Sequence, residues 1–215
     1  MYVTAKMSRN IISVFPEASI SLAFKLMREQ NVRALPVVDK GKLVGMVTET
    51  LLSEVSPSKA TSLSVYELNY ILDKTKVADI MEKNVITCTE DMSIEQVALL
   101  MNEKDINMIP VIDKGNNIKG IITRNDIIAS FLDILGARGK GSRIILIAKD
   151  RPGTFADIST LLSQHNYNIV HVINFAAEQP DESEIIIRLD NIADDLILKE
   201  LEAKGYRIEK VEHTK

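Results

Sequence analysis

Apolar side chains recur at helical spacing in two stretches of the first half of the chain. In each stretch they stand at positions i, i+3, i+4 and i+7, the pattern of an amphipathic helix. The positions are Ile20, Ala23, Phe24 and Met27 in the first stretch and Ile94, Val97, Ala98 and Met101 in the second. Ser19 and Ser93 precede these stretches, and serine is favoured at a helix N-cap. The pattern predicts two capped amphipathic helices.

Each predicted helix is followed by two short apolar runs with a polar turn between them. The runs are residues 34–38, 43–47, 109–112 and 118–122. Short apolar runs separated by a glycine-containing turn predict a β-hairpin of buried strands. Pro36 and Pro110 lie in the first run of each pair and have no N–H to donate. We therefore expect those strands to lie at a sheet edge or to begin there.

The second helix and hairpin repeat the first at a nearly fixed distance along the chain. The offset is 74 positions and becomes 75 after one inserted residue near Asn116. The aligned pairs include Met7 with Met81, residues 36–39 with 110–113, and residues 45–48 with 120–123. Self-similarity at a fixed period is typical of a duplicated structural unit. The sequence thus predicts two copies of one unit.

The last third of the chain has a different order of elements. Apolar patterning predicts, in this order, a strand at 143–148, a helix at 154–164, strands at 169–177 and 185–189, a helix at 192–204 and a strand at 206–211. The order βαββαβ is that of the ferredoxin-like fold. The predicted fold class is therefore mixed α and β, with two β-α-β-β-α copies followed by a ferredoxin-like domain.

The boundaries between these units follow from composition. Residues 136–141 contain three glycines, which is typical of a linker. Residues 53–64 are rich in serine and proline, and the apolar residues that follow predict a short helix. We predict a first copy at 1–60, a linker and helix at 61–80, a second copy at 81–135, the Gly-rich linker at 136–141 and a final domain at 142–215.

Charge and hydropathy exclude several classes of function. The 215 residues carry 26 Lys and Arg against 30 Asp and Glu, a formal net charge of −4. A general nucleic-acid binder needs a surplus of basic residues, so we expect no nucleic-acid partner. No apolar run approaches the ~18 residues of a membrane helix, and the N-terminus lacks a signal-peptide pattern. We expect a cytoplasmic protein without membrane contact, and its single cysteine, Cys88, excludes an intrachain disulfide.

A strand that runs into a helix carries the most specific local motif. Residues 120–126 read Gly-Ile-Ile-Thr-Arg-Asn-Asp, with Thr123 and Asp126 three positions apart. Such a pair can hold a nucleotide, because a hydroxyl and free N–H groups approach phosphate while a carboxylate accepts both hydroxyls of a ribose. The same pair fits a capping box, in which Asp126 accepts from the Thr123 N–H. Both interpretations remain open from this motif alone.

The duplicated pattern resembles the cystathionine-beta-synthase (CBS) domain family, whose tandem pairs form adenine-nucleotide sensors. The resemblance covers residues 1–135 and rests on Pro-Val-h-Asp and Gly-h-h-Thr, where h is apolar, in both copies. It implies a cleft between pseudo-symmetric halves in which Thr123 and Asp126 hold the ribose of an AMP, ADP or ATP-like ligand. The resemblance also implies a base pocket lined by Val85, Ile86 and Thr87 or by Ile106 and Met108, with Asn107 toward the phosphates.

The first copy departs from this pattern. Leu51 stands where the second copy has Asp126, and leucine accepts no hydrogen bond from a ribose. Leaving those hydroxyls buried and unpaired costs about 1 to 3 kcal/mol each. We therefore predict one competent nucleotide pocket per chain. Arg33 is the best candidate in the first copy to reach the phosphates across the cleft, although a solvated arginine before a strand explains it equally well.

The last domain carries Asp-Arg-Pro-Gly-Thr between its first strand and first helix. Proline followed by glycine suits a type II turn, and the helix N-terminus behind it can receive a carboxylate. With the βαββαβ order, this segment resembles the ACT domain family, which binds amino acids or mediates regulatory dimerisation. The resemblance implies a homodimer with an amino acid at the interface, held by Asp150, Arg151, Gly153, Thr154, Phe155 and the next chain's Asn168.

A CBS pair followed by an ACT domain resembles the bacterial acetoin-utilisation AcuB-type proteins. These resemblances imply a non-catalytic regulatory sensor without a cofactor or metal, acting on a partner that the sequence does not identify. An enzyme is less well supported because the three histidines have no obvious nucleophile or carboxylate beside them. The alternatives are a DNA-binding regulator, a structural adaptor with vestigial sites and an S-adenosylmethionine-binding module.

Overall fold

The computed structural model describes residues 1–55 and 65–214, and it divides into two compact units, Met1–Ile128 and Ala129–Lys215. The first unit contains a short 3₁₀ helix, Val3–Ala5, and most of its regular elements come in two similar sets. The elements are α1 (Ile20–Glu29), β1 (Ala34–Asp39), β2 (Lys42–Thr48), α2 (Glu49–Val55), α3 (Val65–Lys74), α4 (Val77–Ile80), α5 (Ile94–Glu103), β3 (Met108–Ile112), β4 (Ile118–Thr123) and α6 (Arg124–Ile134). Helix α6 spans the division between the units.

The helices and hairpins predicted from apolar spacing are confirmed. Ser19 Oγ accepts from the Leu22 N–H at 3.2 Å, and Ser93 Oγ accepts from the Gln96 N–H at 3.2 Å, so both helices are capped by serine. Strand β1 pairs antiparallel with β2, and β3 with β4. The predicted short helix before the second copy is α3, whereas the Ser- and Pro-rich residues 56–64 lie outside the described residues.

The two copies exchange the segments that precede them. The Ile20 N–H donates to the Thr75 carbonyl at 3.1 Å, and at the equivalent place the Ile94 N–H donates to the Met1 carbonyl at 2.9 Å. Val3 is fully buried in the core of the second copy, and Val77 is fully buried in the core of the first. Each core is therefore completed by residues from outside its own sequence copy.

The two hairpins also meet at their tips. The Leu43 N–H donates to the Asn116 carbonyl at 3.1 Å, and the Asn116 side chain donates to the Leu43 carbonyl at 2.7 Å. Asn116 has a positive φ of 62°, which fits its place as the inserted residue of the longer second turn. In that turn Asp113 accepts hydrogen bonds from Gly115 and Asn117, and these bonds, led by the Asn117 side chain, hold the pKa of Asp113 well below its usual range.

The β-α-β-β-α order predicts a strand before the first helix of each copy. In the structure this strand is reduced to a single bridge residue. Residues 85–87 form no ladder, and only Cys88 makes a parallel bridge, to Val111, as Val14 does to Val37 in the first copy. One residue therefore flanks β3 on the side opposite β4. Cys88 is buried in the core, and this burial raises the pKa of its thiol to about 11.

The second unit has the predicted βαββαβ order. Its elements are β5 (Gly141–Lys149), α7 (Thr154–Gln164), β6 (Ile169–Ala176), β7 (Glu182–Leu189), α8 (Asp195–Ala203) and β8 (Arg207–Thr214). The strands form one antiparallel sheet in the order β6-β7-β5-β8. Ile144 and Leu146 of β5 and Ile187 of β7 are fully buried in the same core as Ile158 and Leu162 of α7.

The Gly-rich residues 136–141, predicted as a linker, lie within the second unit. Gly141 has a φ of +100°, and a Cβ there would lie 2.1 Å from the Leu189 carbonyl oxygen. Glycine is therefore required by close approach to β7 as well as by backbone conformation. Among the described helices, none is long and apolar enough to cross a membrane.

Candidate functional site

The end of β4 and the start of α6 place Thr123 and Asp126 in direct contact. Asp126 Oδ2 accepts from the Thr123 N–H at 2.8 Å and from the Thr123 hydroxyl at 2.6 Å. The Asp126 N–H donates in return to Thr123 Oγ1 at 3.3 Å. These reciprocal bonds form the capping box that the sequence offered as one interpretation. Both side chains remain partly exposed, so a ligand can reach the carboxylate.

Three further predicted residues lie at the same end of the hairpin. The Asn107 carbonyl accepts from the Arg124 N–H at 2.9 Å, and Met108 lies opposite Thr123 in the register of β3 and β4. Ile106 is partly buried against the core of the second copy. The fold therefore brings Ile106, Asn107 and Met108 beside Thr123 and the first turn of α6.

Arg124 was not anticipated as part of this site. Its guanidinium donates to the Ile106 carbonyl at 3.3 Å and lies 3.4 Å from an Asp105 carboxylate oxygen. It thus places a cation beside the predicted base and phosphate residues. Arg124 lies inside the motif at 120–126, and its position directly after Thr123 was the available signal.

The predicted base-pocket residues Val85, Ile86 and Thr87 are all partly buried on the irregular segment that leads to Cys88. Ile86 packs against the same core cluster as Ile106. Two residues of the predicted base pocket, Ile86 and Ile106, therefore pack against the same core cluster although they come from separate segments of the chain.

Arg33 lines a cavity of about 800 Å³ on the first copy. Its neighbours in the wall include Phe24 and Arg28 of α1, Glu49 of α2 and Leu72 of α3. At the repeat offset, Arg33 and Glu49 stand where the second copy has Asn107 and Arg124. The cavity therefore occupies the first copy's counterpart of the hairpin end described above. The sequence predicted neither the cavity nor a role for Arg28, because Phe24 belongs to the apolar face of α1 and was expected to be packed in the core.

The predicted turn of the second unit is present. The Thr154 N–H donates to the Arg151 carbonyl at 3.3 Å, and Gly153 has a φ of +93°, as a type II turn requires. The Thr154 side chain is buried and donates to the Lys149 carbonyl at 2.9 Å. Arg151 forms an ion pair with Asp157 at 2.7 Å.

Of the other predicted amino-acid ligands, Asp150 and Phe155 flank this turn in sequence, and Asn168 directly precedes β6. The Asp150 N–H donates to the Asp181 carbonyl at 2.8 Å, and the Asn168 side chain donates to Asp190 at 3.2 Å. Phe155 is 45% exposed. Among the described residues, Asn168 makes no hydrogen bond to this turn, and its role toward a neighbouring subunit stays a prediction.

All three histidines lie in the second unit, and two of them have polar side-chain contacts. His165 Nε2 lies 3.0 Å from Glu200, and His213 Nδ1 lies 2.8 Å from the fully buried hydroxyl of Ser142. That hydroxyl also accepts from the Ala193 N–H at 2.7 Å. The Ser142 oxygen is therefore enclosed and hydrogen bonded on both sides.

Comparison with known families agrees with this architecture. The CBS domain model matches residues 3–56 and 77–133, and the ACT domain model matches residues 142–205. The chain belongs to the CBS domain family. It is a tandem CBS protein with a C-terminal ACT domain, and both domain types are regulatory modules.

Three known proteins show the range of the similarity. The chain is 27% identical, over 94% of its length, to inosine-5'-monophosphate dehydrogenase of Methanocaldococcus jannaschii, and spans 40% of that enzyme. CBSX2 of Arabidopsis thaliana, solved with AMP, matches 62% of this chain with 28% identity, a TM-score of 0.52 and 97% of its own length. The CBS pair of protein MJ0100, solved with 5'-methylthioadenosine and S-adenosylmethionine, matches 64% with 30% identity, a TM-score of 0.50 and 98% of its length.

The similarity to an acetoin-utilisation protein is one of fold. A protein described as AcuB from Vibrio cholerae superposes on 64% of this chain and 95% of its own, with a TM-score of 0.53 and 22% identity. The expected AcuB-like architecture is thereby confirmed. The chain spans two-fifths or less of the first curated relatives that it matches, so the activities of those whole proteins do not transfer with the CBS pair.

Proposed function

We propose that this protein is a non-catalytic regulatory sensor whose CBS pair binds an adenine nucleotide at the N-terminus of α6. Asp126 accepts the ribose hydroxyls, and Ile86, Ile106 and Met108 pack against the adenine. CBSX2, which is similar over the whole pair, was solved with AMP, and this supports the ligand class. The proposal includes no cofactor.

The observation that carries the proposal is the contrast between Asp126 and Leu51. Both residues stand in the first turn of the helix after a Gly-h-h-Thr strand, and both donate their N–H to that threonine, at 3.3 and 3.2 Å. A capping threonine is thus sufficient to begin the helix in the first copy. The carboxylate of Asp126 is additional to what the helix start of the first copy requires, and its acceptor oxygens suit a ribose diol.

Ligand binding exchanges one hydrogen bond of Asp126 for another. In the structure the Thr123 hydroxyl donates to Asp126 Oδ2. A ribose hydroxyl can take over that position while the Thr123 N–H continues to donate to the carboxylate. The threonine hydroxyl is then able to donate to a phosphate oxygen at the helix N-terminus, where the helix dipole also favours negative charge.

The phosphates are expected to meet cations from both copies. Arg124 and Asn107 lie at the hairpin end that carries Asp126. Arg33 stands at the equivalent place in the first copy and is exposed, so its side chain is accessible to a ligand. Phosphate recognition by arginine favours a nucleotide over a nucleoside.

A thioadenosine ligand is the second candidate. The CBS pair of MJ0100 was solved with 5'-methylthioadenosine and S-adenosylmethionine, which share the adenosine of a nucleotide but lack its phosphates. Asp126 and the apolar residues serve either ligand equally. Arg33 and Arg124 distinguish them, because the neutral thioether of 5'-methylthioadenosine and the sulfonium of S-adenosylmethionine offer an arginine no acceptor where a nucleotide carries its phosphates.

We further propose that the ACT domain supports a homodimer and can bind an amino acid beside Gly153 and Thr154, with Asn168 supplied by the partner subunit. A nucleotide in the CBS pair and an amino acid in the ACT domain would then bias one conformational equilibrium of a cytoplasmic regulator. Such coupling is reciprocal, so each ligand changes the affinity for the other by the same factor. A structural adaptor that binds neither ligand is the opposing hypothesis.

Titration calorimetry on the whole chain tests the nucleotide site. AMP, ADP, ATP, 5'-methylthioadenosine and S-adenosylmethionine are titrated into the wild-type protein and into Asp126→Ala. We expect about one adenine nucleotide per chain. Two unpaired ribose hydroxyls cost about 1 to 3 kcal/mol each, so Asp126→Ala weakens binding by about 30-fold or more.

Asp79→Ala is the matched control. Asp79 Oδ2 accepts from the Lys76 N–H at 3.1 Å, so it is also the carboxylate of a capping box, at α4 instead of α6. Asp79→Ala removes no proposed ligand contact, so we expect the nucleotide affinity to equal that of the wild type. Equal affinities of wild type and Asp126→Ala contradict the site, and the absence of binding by all five compounds favours the adaptor.

A further inference from the structure

Among the residues that the structure describes, a buried arginine on the ACT sheet has no carboxylate partner. Arg188 of β7 is 5% exposed, and no described residue places a carboxylate oxygen within ion-pair distance of its guanidinium. Its Nε is buried without a hydrogen-bond acceptor. Burying a charge is unfavourable unless an opposite charge or a full set of hydrogen bonds offsets the loss of water.

Arg188 lies on the face of the sheet opposite the core. Its neighbours along β7, Ile187 and Leu189, belong to the core that packs on the helices, and side chains alternate between the two faces of a strand. The register places His171 of β6 on one side of Arg188 and Arg143 of β5 on the other. The row continues to β8, where Glu212 lies opposite Arg143.

The row has an excess of positive charge. Glu212 is its only carboxylate, and this residue already pairs with Arg143 at 3.1 Å and with Lys210 at 2.5 Å. Two arginines directly opposite each other on adjacent strands repel. The described part of the ACT domain thus supplies no negative charge for Arg188 within this row.

The remaining contacts of Arg188 come from the Gly-rich segment before β5. One terminal nitrogen of its guanidinium donates to the Gly139 carbonyl. A Cβ at Gly139 would lie 2.9 Å from Arg188 Nε, and a Cβ at Gly136 would lie 2.3 Å from His171 Cδ2. The two glycines therefore allow the backbone to cover the guanidinium while adding no side chain of their own. A neutral carbonyl serves here in place of a counter-ion.

We propose that Arg188, with Arg143 and His171 beside it, forms a binding site for a small free oxyanion, either a phosphate or a carboxylate. The anion takes the place of the Gly139 carbonyl and satisfies Nε as well as a terminal nitrogen, in the bidentate geometry that arginine favours. Residues 136–140 are released from the sheet when it binds. The site is separate from both the nucleotide site and the Gly153 turn.

Thermal unfolding of the whole chain in inorganic phosphate, and separately in acetate, tests the site at pH 7 and constant ionic strength adjusted with chloride. Anion binding to the folded state raises the melting temperature by about 3 to 6 °C once the anion exceeds its Kd tenfold, and the rise continues with the logarithm of the anion concentration. Arg188→Met removes the charge with little change in volume, and it abolishes the response that this site provides.

Arg207→Met is the matched control, because Arg207 is an exposed arginine of the same sheet that pairs with Glu209 and Glu182. It keeps the full response. Should Arg188→Met fail to fold, Gly139→Ala retains the charge. Its methyl group crowds Nε and disfavours the Gly139 contact that the anion displaces, so anion binding strengthens by about fivefold. Hydrogen exchange on the wild type adds a test without substitution, since the amides of Ala137 and Gly139 exchange faster when phosphate is bound.

Three outcomes overturn the proposal. One is a wild-type melting temperature that does not respond to phosphate or acetate. Another is a response that Arg188→Met retains in full and that Gly139→Ala leaves unchanged. The third is stabilisation that rises with protein concentration instead of anion concentration and depends on Arg188, which would assign the missing carboxylate to a second copy of the chain.

Discussion

The two CBS copies share a backbone frame and differ in the side chains at its functional end. In both, a threonine closes the second hairpin strand and accepts from an N–H three residues later, at 3.2 Å in the first copy and 3.3 Å in the second. The residue that donates is Leu51 in one and Asp126 in the other. Duplication has kept the threonine that starts the helix and changed the residue that we propose to contact a nucleotide.

The hairpin ends differ in charge as well. The first copy presents Arg33 and Glu49 around an open cavity, whereas the second presents Asn107 and Arg124, with the Arg124 guanidinium folded onto the Ile106 carbonyl. Under the proposed function, the two copies contribute different groups to one nucleotide site. The second copy supplies the ribose carboxylate, Asp126, and each copy supplies one arginine for the phosphates, Arg33 or Arg124. The comparison teaches that pseudo-symmetry of the backbone does not imply two equal sites.

Leu51→Asp is the strongest test of this difference. If the missing carboxylate is what disables the first copy, the substitution creates a second nucleotide site with a gain of about 2 kcal/mol, or about 30-fold in affinity at that site. Titration calorimetry then shows about two nucleotides per chain. Leu51→Asn, which lacks the charge, is the control and recovers less. An unchanged stoichiometry means that the first copy is inactive for another reason.

Alanine substitutions at Gly45 and Gly120 test whether the segments at residues 81–82 and 7–8 pack equally tightly against the two hairpins. A Cβ at Gly120 would lie 2.8 Å from both the Met7 sulfur and the Ser8 carbonyl oxygen. A Cβ at Gly45 would lie 2.6 Å from the flexible Met81 sulfur and 3.0 Å from the Glu82 carbonyl oxygen, so the backbone contact is closer at Gly120. Alanine at either position lowers the free energy of unfolding by about 1 to 3 kcal/mol, and Gly120→Ala has the larger effect because a backbone carbonyl moves less easily.

Urea unfolding of the two alanine variants measures this order. A double-mutant cycle with Met81→Ala should show coupling with Gly45→Ala, because removal of the Met81 sulfur makes room for the new methyl group. The reverse order of stabilities would show that the second copy tolerates displacement of the N-terminal segment better than the structure indicates.

Thr123→Val and Thr48→Val compare the two helix starts. Thr48 Oγ1 accepts one hydrogen bond, from the Leu51 N–H, whereas Thr123 Oγ1 also donates to Asp126. We expect a loss of stability of about 1 to 2 kcal/mol for Thr123→Val and about 0.5 to 1 kcal/mol for Thr48→Val. Equal losses, measured by urea unfolding, would mean that the contact between Thr123 and Asp126 adds nothing.

The smallest expected effect concerns the two hairpin turns and pH. The Asn117 side chain and other donors lower the pKa of Asp113, so its stabilising contribution is present above the unfolded-state pKa of about 3.9 and is lost as pH falls through the folded-state pKa. Asp113→Asn should therefore lower the melting temperature at pH 7, and the difference from wild type should narrow below about pH 4.

The equivalent substitution in the first copy, Asp39→Asn, is the control for the turn. Asp39 is exposed beside a two-residue turn with positive φ at Lys40 and Gly41, which holds its shape through backbone conformation alone. We expect little change in its melting temperature. A difference between wild type and Asp113→Asn that stays constant down to pH 3 would contradict the assigned role of Asp113.

The sequence predicted the repeat, the capped helices, the hairpins and the ACT domain correctly, since each depends on local spacing of apolar residues and on turn chemistry. Pro152 and Gly153 identified a type II turn because only those residues suit its dihedral angles. Thr123 and Asp126 were found for the same reason, as neighbours in sequence that a strand-to-helix turn brings together. Their role toward a nucleotide remains a proposal.

The tertiary structure decided what depends on contacts between distant segments. The exchange that buries Val3 and Val77 in the opposite copies is invisible in the periodicity, because an apolar residue does not indicate which core it joins. The sequence shows Arg188 only as a charged residue in a predicted strand. The folded sheet places Arg143 and His171 beside it, and the Gly139 carbonyl accepts a hydrogen bond from its guanidinium. Local sequence determines elements and turns, whereas burial and the balance of charge around a residue are properties of the folded neighbours.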